Sequence, residues 1–463
     1  MSDINLFLSK PGVMSCAGNN IEELWNSVIN GNQSGIKRVK ACNDEEFFAA
    51  RIDDSFLKPS SARYDMRIMR IEEAALNQIA DEVQAVKAKF GAERIAVCVG
   101  SCDNGTEFSI AGHRKYFADG TFPADYDLEI QGADYVSTFV ADKFGLRGPC
   151  ATFSTACSSS AGAIIKGAEL ILAGLADAAV VGGIDIASDT TLIGFNSLEA
   201  VSSEVTNPFS KNRHGITLGD GAAFFVLSRE IAGDSLVKPV NDKEPAKNDI
   251  GTGAGASAAA DENASLPGTG VSSVSFSGGT RESVRLLGWG ESADAYHMTS
   301  PDPSGAGAEK AIRRAMEKAG VRAEDVGYIN MHGTGTKFND SMEAKAISAV
   351  FREIKVPVST TKAITGHTLG AAAALEAAIC WKALVENNKE NNDNNVKLPV
   401  QVWDGEQDPE IPVLNIVDKN TTASVNGQMN GAGDVEKAAL NLKVCLSNSF
   451  AFGGANACLV IGV

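Results

Sequence analysis

The stretch STACSSSAGAIIKGAELILAG, residues 154–174, has a distant counterpart in TTKAITGHTLGAAAALEAAICWKAL, residues 360–384. Each stretch runs from a turn rich in Ser and Thr into an Ala-rich apolar helix. Superposing the two turns places Cys157 opposite His367, each at the start of a buried helix. We therefore interpret the chain as two copies of one unit related by a pseudo-two-fold axis.

Short apolar runs rich in β-branched residues surround these two helices and predict buried strands. Most of the runs are continuous rather than alternating, which is typical of strands covered by helices on both faces. This pattern indicates an α/β fold. The predicted strands are 95–101, 178–185, 222–228, 326–332, 356–360, 443–449 and 457–463, and the predicted helices are 65–90, 158–173, 307–319, 340–350 and 369–384.

Two polar segments interrupt the alternation of strands and helices. Residues 231–279 are rich in Gly, Ala and Ser, and residues 387–395 read NNKENNDNN. Both contain too few large apolar groups to form a packed core, so we predict surface insertions or mobile loops. The first separates an N-terminal unit at 1–230, with the candidate nucleophile, from a C-terminal unit at 280–463, with the candidate histidines.

The composition excludes some classes of partner. The chain of 463 residues is 44% hydrophobic and has a formal net charge of −17. Binding to nucleic acid or to an anionic membrane surface needs clustered Lys and Arg, so this charge argues against both. The first residues lack the basic and apolar regions of a signal peptide, and charged residues interrupt the apolar stretch 161–184. We expect a soluble cytoplasmic protein.

Cys157 is the cysteine whose position indicates reactivity. It lies between a Ser/Thr turn and a predicted helix, whose unpaired N–H groups favour a thiolate over a thiol. The alternative is one more buried, inert cysteine among the nine in the chain. Cys98 and Cys102 lie close in sequence but lack a second pair or a His cluster at zinc spacing, so we expect no metal site.

Two of the five histidines, His332 and His367, lie in Gly/Thr turns of opposite halves. The alternative for either one alone is a hydrogen-bonded core histidine. Two of them, together with a candidate thiolate, predict a catalytic group. Because His367 lies at a helix start, its pKa should be lowered and its neutral imidazole should donate a hydrogen bond to a developing oxyanion.

Six segments of the chain resemble the successive signature segments of the β-ketoacyl synthase family, in family order. The resemblance covers nearly the whole chain apart from the two polar segments. It implies the thiolase fold, a five-layered αβαβα sandwich built from two pseudo-symmetric halves, and a dimer. The segments are TACSSSAGAI, NPFSKNRHGITLGDGAA, DAYHMTSPDPSGAGAEKA, NMHGTGTKFNDSMEAKAI, TTKAITGHTLGAAAALEA and SNSFAFGGANACLVIG.

The resemblance also implies catalytic roles. Cys157 matches the nucleophile that accepts the acyl group. His332 and His367 match the pair that assists decarboxylation of the malonyl unit and condensation. Lys362 and Glu376 match a buried pair that supports the two histidines.

Further matched residues concern the substrate channel. Phe452 matches a gating phenylalanine, whose backbone N–H joins that of Cys157 in an oxyanion hole. Thr334 and Thr336 match hydroxyl groups that hold the phosphopantetheine arm. Asp340 matches a structural residue that closes the HGTGT segment.

The implied activity is that of a 3-oxoacyl-(acyl carrier protein) synthase in fatty acid biosynthesis. Its substrates are carried on the phosphopantetheine of an acyl carrier protein, and no metal or separate cofactor is expected. We expect a homodimer, or a heterodimer with a related subunit. The alternatives are a dedicated polyketide or aryl-polyene ketosynthase, a chain-length-factor-like partner, a thiolase, and a Cys-His hydrolase of another fold.

Two positions depart from the family pattern. Ala451 replaces the Gly that precedes the gating Phe, which predicts a stiffer turn. Asn207 replaces an Arg that helps to bind the carrier protein, so docking needs basic residues elsewhere. Our candidates are Arg63, Arg67 and Arg70 on one helical face, the alternative being an ordinary solvated face, with Lys211 and Arg213 as the next place to look.

Overall fold

A computed structural model describes residues 6–230, 284–389, 396–419 and 442–463. The predicted insertion at 231–279 and most of 387–395 lie outside these ranges, so the predicted unit boundaries stay predictions. Within the described ranges, no helix is long and apolar enough to cross a membrane.

The strands and helices alternate along most of the chain. The strands are β1 (Phe7–Leu8), β2 (Gly12–Ser15), β3 (Lys37–Lys40), β4 (Glu46–Ala50), β5 (Ile95–Gly100), β6 (Cys150–Phe153), β7 (Ala178–Asp185), β8 (Leu218–Gly219), β9 (Gly221–Ser228), β10 (Arg285–Ala293), β11 (Tyr328–Asn330), β12 (Pro357–Ser359), β13 (Asn415–Ile416), β14 (Val444–Phe450) and β15 (Ala455–Gly462). The helices are α1 (Ile21–Asn30), α2 (Arg67–Asn77), α3 (Ala80–Phe90), α4 (Thr106–Asp119), α5 (Tyr135–Phe144), α6 (Ser159–Leu172), α7 (Asp189–Ser197), α8 (Ala306–Ala319), α9 (Lys337–Phe351), α10 (Lys362–Thr365) and α11 (Ala372–Asn387).

One strand order occurs twice. The first half has the order β6-β5-β7-β9-β2, and the second has β12-β11-β14-β15-β10. In each, the first three strands are parallel and the last two pairings are antiparallel. β1 links the two sets, since Phe7 pairs with both Ser228 and Arg285. The repeat inferred from the two helix-forming stretches is thus present in the topology.

The helices form three layers around the two sets of strands. α6 and α11 contact each other; α6 packs on β5 and β7, and α11 packs on β14 and β15. α2, α3 and α5 cover the outer face of the first set, while α8 covers β10 and β15 and contacts α9. The layers therefore follow the order αβαβα, which confirms the predicted fold class.

The predicted helix at 65–90 is wrong in one respect, because it consists of α2 and α3 with a break at Gln78 and Ile79. The Gln78 amide donates to Val13 O and accepts from Val13 N in β2, and Ile79 is fully buried. The break thus fits the helix pair onto the sheet. No Gly or Pro marks it in the sequence, so periodicity alone predicts one helix.

Strand β10 was missed by the sequence analysis although it lies inside the sheet. Its sequence, RLLGWGESA, has no continuous apolar run. A Cβ on Gly290 would lie 2.1 Å from Ala311 O in α8, so the glycine allows helix and strand to approach closely.

Candidate active site

Cys157 lies in the turn that joins β6 to α6, where its side chain is buried. The preceding residue, Ala156, has φ +49°, a strained conformation for a residue with a Cβ. The Ser159 hydroxyl stabilises the turn, since it accepts a hydrogen bond from Thr155 N and donates one to Ala156 O. The turn thus places Cys157 just before the start of α6.

His367 comes from the second half and reaches the same point. Its backbone N–H donates to Thr217 O at 2.7 Å, and its Nε2 lies 3.0 Å from Cys157 Sγ. Its Nδ1 accepts the N–H of Leu369 at 3.2 Å. Because Nδ1 accepts, the proton of the neutral ring is on Nε2, which is therefore a hydrogen-bond donor toward the sulfur.

His332 follows β11 and faces His367 edge-on, with ring centroids 5.3 Å apart. The N–H groups of His332 and Gly333 both donate to the Glu343 carboxylate at 2.8 Å. The Nδ1 atom of His332 lies 3.4 Å from Lys362 Nζ. Both histidines therefore have Nδ1 next to a donor, which leaves Nε2–H as the group that meets a substrate.

Lys362 and Glu376 form a buried ion pair behind the histidines. Burial raises the pKa of Glu376 to about 7, although Lys362 opposes the rise. Burial lowers the pKa of His332 and of His367 well below the usual value, and Lys362 lowers both further. Both rings are neutral, as predicted for His367, but the main cause is burial rather than the helix start.

The expected thiolate at Cys157 is opposed by its surroundings. Burial raises the pKa of the Cys157 thiol to about 11. The positive charge of Lys362 and the backbone N–H groups of Phe452 and Cys157 lower the pKa but do not cancel the effect of burial. The thiolate was expected from the N–H groups of the helix start alone, and the depth of burial outweighs them, so the resting group is a thiol.

The ligating atoms of Cys157, His332 and His367 all lie within 4.8 Å of one another, a set that could hold a metal ion. A metal at Nε2 would need the proton moved to Nδ1. In both rings Nδ1 faces an N–H donor, from Leu369 or Lys362, and that arrangement opposes the change. The chemistry of the donor set therefore does not fit a metal site.

A cavity of about 380 Å³ leads from the surface to this group of side chains. Thr334 and Thr336 line it, with their hydroxyl oxygens 3.0 Å apart. The Phe452 ring also lines it and lies 5.7 Å, centroid to centroid, from the ring of Phe195. Ala451 has an ordinary extended backbone, with φ −103°, so this conformation does not need the glycine that the family has there.

Asp340 is completely buried beside the cavity. Its carboxylate accepts the N–H of Phe209 at 2.8 Å and that of Gly335 at 3.2 Å. Phe209 has φ +64° and Gly335 has φ +81°, so the carboxylate holds two turns of unusual backbone conformation. Asp340 thus holds the backbone of the segment that carries Thr334 through its bond to Gly335.

Comparisons with known proteins show the family of the chain. Residues 12–232 match the family model described as Beta-ketoacyl synthase, N-terminal domain, and residues 284–391 match the model for the C-terminal domain. The 3-oxoacyl-(acyl-carrier-protein) synthase 2 of Vibrio harveyi is 30% identical, with 99% of each chain covered. The chain belongs to the β-ketoacyl synthase family. The corresponding protein of Vibrio cholerae is 29% identical, again with 99% of each chain covered.

Solved structures of ketosynthases share the fold of this β-ketoacyl synthase. A ketosynthase of Xenorhabdus doucetiae, determined in complex with its chain length factor, is 32% identical with a TM-score of 0.76, covering 99% of this chain and 98% of that chain. The ishigamide ketosynthase/chain length factor is 25% identical with a TM-score of 0.75, and all of both chains is covered.

Two buried acids position the site of this β-ketoacyl synthase and were missed by the sequence analysis. Glu343 holds the backbone of His332, as described above. Asp185 accepts the N–H of Cys102 at 2.8 Å and that of Gly370 at 2.7 Å, which ties the two halves together. Burial raises the pKa of each of these carboxyls to about 7. The sequence offered one signal for each: Asp185 lies at the end of an apolar strand, and Glu343 lies on the inner face of α9.

The three candidate docking arginines do not form one solvated helical face. Arg67 is mostly buried and binds the fully buried Asp220. Arg63 precedes α2 and pairs with Asp127 and Glu129. The Arg67 prediction is wrong, because a cation paired inside the protein is not presented to a partner.

The other basic candidates are also paired with acidic residues. Arg70 is bound by both oxygens of Asp65. Lys211 pairs with Glu406 at the surface. Arg213 is buried and binds Asp408, so it supports the loop rather than a partner.

Proposed function

We propose that this β-ketoacyl synthase is a 3-oxoacyl-(acyl carrier protein) synthase that condenses an acyl group on Cys157 with a malonyl unit and releases CO₂. The observation that carries the proposal is the 3.0 Å approach of His367 Nε2 to Cys157 Sγ, with His332 across from it at the buried end of the cavity. The relatives named above as 3-oxoacyl synthases support the same activity.

The first half-reaction is transfer of the acyl group. The Cys157 sulfur attacks the thioester carbon of the carrier-bound acyl group, and the N–H groups of Cys157 and Phe452 stabilise the oxyanion. The bond from carbon to the arm sulfur breaks, and the thiol proton passes to that sulfur. A thiol that is neutral at rest thus loses its proton only during transfer.

The second half-reaction joins two carbon atoms. The bond to the malonyl carboxylate breaks, CO₂ leaves, and the electron pair forms an enolate whose oxygen accepts from His332 and His367 Nε2–H. The enolate carbon attacks the Cys157 thioester, and the sulfur leaves as a thiolate that takes up one proton. No electrons are gained or lost, so the balance needs no redox cofactor.

A reconstituted assay tests this proposal. Acyl and malonyl thioesters of an acyl carrier protein should give a 3-oxoacyl product and one CO₂ for each turnover. Cys157→Ala should give neither acylation nor product. CO₂ release without a 3-oxoacyl product, or hydrolysis of the acyl thioester alone, would favour a different function.

A dedicated polyketide or aryl-polyene ketosynthase is the second candidate. The Xenorhabdus doucetiae relative, determined with a chain length factor, favours it. Co-expression with a related subunit from the same genome, followed by condensation assays on extended polyene thioesters, tests it. Equal activity of the chain alone on saturated substrates would favour fatty acid synthesis.

The free edge of β6 supports a partner subunit of the same fold. β6 ends the strand order, pairs only with β5 among the described strands, and contains no charged residue or proline. Such an edge invites pairing with another strand. We propose that two thiolase-fold subunits pair there; the exposed Cys150 allows a disulfide cross-link between copies to test it.

The expectation of a cytoplasmic location stays a prediction.

A further inference from the structure

Three large apolar side chains are exposed around the mouth of the active-site cavity. Phe338 is 67% exposed, Leu198 is 54% exposed and Met298 is 80% exposed. Phe338 and Leu198 line the cavity that reaches Cys157, and Met298 precedes Thr299, which lines it as well. We call Leu198, Met298 and Phe338 the collar.

Three separate segments of the fold position the collar residues. Phe338 lies in the first turn of α9, whose Asp340 is anchored in the interior. Leu198 caps the C-terminus of α7, and Met298 O accepts the N–H of Gly453 at 2.7 Å, next to Phe452. Because backbone contacts fix these positions, their exposure is a property of the fold rather than of one loose side chain.

Few cations are placed for electrostatic docking at this mouth: among the described residues that line the cavity, they are Lys337, next to Phe338, and Arg213, which is buried. The basic residues proposed for docking are buried or already paired with acids, as described for Arg63, Arg67 and Arg70. The pairs of Arg63 and Arg70 are exposed, and such pairs contribute little to binding because water and salt screen them. The net charge of −17 also gives no general attraction for an acidic partner.

We propose that a carrier protein docks on the collar through apolar contacts, with its arm passing into the cavity between the collar residues. This inference rests on the proposed function, which requires a tethered substrate. The arm must enter at this mouth while the body of the carrier stays outside, so that body meets the residues at the rim. Clustered exposed apolar groups mark interaction surfaces, and a few residues of such a surface carry most of its binding energy.

The test compares carrier-bound substrates with small thioesters. Phe338→Ser, Leu198→Ser and Met298→Ser should each raise the KM for a carrier-bound substrate about tenfold. The ratio of this KM to the KM for an acyl-N-acetylcysteamine should rise by a similar factor. Phe338→Leu, which keeps most of the apolar area, should recover the KM of the unaltered protein.

Leu175→Ser is a matched control. Leu175 is 58% exposed, like Leu198, but it follows α6 at the end opposite to Cys157. α6 has 14 residues, so the control lies about 20 Å from the nucleophile. The KM for carrier-bound substrate should not change in this variant.

Ionic strength provides the second measurement. Apolar docking predicts a change of less than about twofold in the KM for carrier-bound substrate between low and high salt, because only charge interactions are screened. Unchanged KM in the collar variants, together with a strong salt dependence and an effect of Arg63→Glu, would overturn the proposal. An equal rise for both substrate types would also overturn it, since it would mean that the collar shapes the cavity. Failure of the unaltered protein to condense even small thioesters would instead refute the proposed function.

Discussion

Replacing His332 with alanine should separate the two half-reactions. His332 contributes one of the two Nε2–H groups available to an enolate oxygen, while Cys157 Sγ lies 3.0 Å from the other histidine, His367. Acyl transfer keeps the donors proposed for its oxyanion, the N–H groups of Cys157 and Phe452. Loss of the His332 ring should therefore affect decarboxylation and condensation much more than acylation.

The magnitude follows from the loss of one preorganised donor. Such a donor is worth about 10² to 10³ in rate, or about 3 to 4 kcal/mol of transition-state stabilisation. Lys362 keeps its ion pair with Glu376 in the variant, so the charge behind the site is preserved. We expect condensation to fall by about 10² to 10³, with acylation within about threefold of the unaltered rate.

Two measurements check this division. Intact-mass analysis follows acylation of Cys157 in single turnovers, and release of labelled CO₂ from malonyl carrier follows decarboxylation. His332→Asn retains a side-chain N–H and should recover part of the rate, while His113→Ala, on the exposed side of α4, should match the unaltered protein. Equal loss of acylation and condensation in His332→Ala would refute the reasoning.

The other predictions concern the nucleophile, the buried charges and the insertion. Cys157→Ala should abolish covalent acyl labelling, and mass analysis that still finds an adduct would contradict the assignment. Lys362→Met should lower the free energy of unfolding by about 3 to 5 kcal/mol, because it leaves Glu376 unpaired in the interior; denaturant titration should show partial recovery in Lys362→Met/Glu376→Gln, and no recovery would argue against coupling. The pKa of Glu343 is raised to about 7 in the folded state, so its contribution to stability falls as pH rises from about 4.5 to 7. The unfolding free energy of the unaltered protein should therefore fall relative to that of Glu343→Gln over this range, and parallel curves would contradict the raised pKa of Glu343. Replacing 231–279, which the sequence predicts to be a surface insertion, with a short Gly/Ser linker should leave condensation within a few-fold, since the entropy of closing a loop depends weakly on its length; loss of solubility would show that the segment packs against the rest.

Local pattern determined much of the fold. Continuous apolar runs found β5, β7, β9, β14 and β15, because strands covered on both faces are apolar along their whole length. β10 was missed, since its glycines are explained only by the approach of α8. The break between α2 and α3 was missed for a similar reason, because the partner that stabilises it is Val13, far away in sequence.

The sequence by itself determined which reactive residues this protein has and the order of the motifs that carry them. Local sequence composition predicts the turns that contain Cys157, His332 and His367. The structure brings these three residues together. Their protonation states depend on tertiary structure. Burial comes from layers contributed by both halves, and it makes the resting Cys157 a thiol where the helix start alone predicted a thiolate.

Contacts between distant segments decided the remaining features. Arg67 looks like a surface cation in its own helix, but Asp220, 153 residues away, binds it in the interior. The collar likewise combines α7, the segment before α8 and the start of α9. Electrostatic and apolar interactions act through space, so only the folded chain shows which charges are paired and which apolar groups face solvent together.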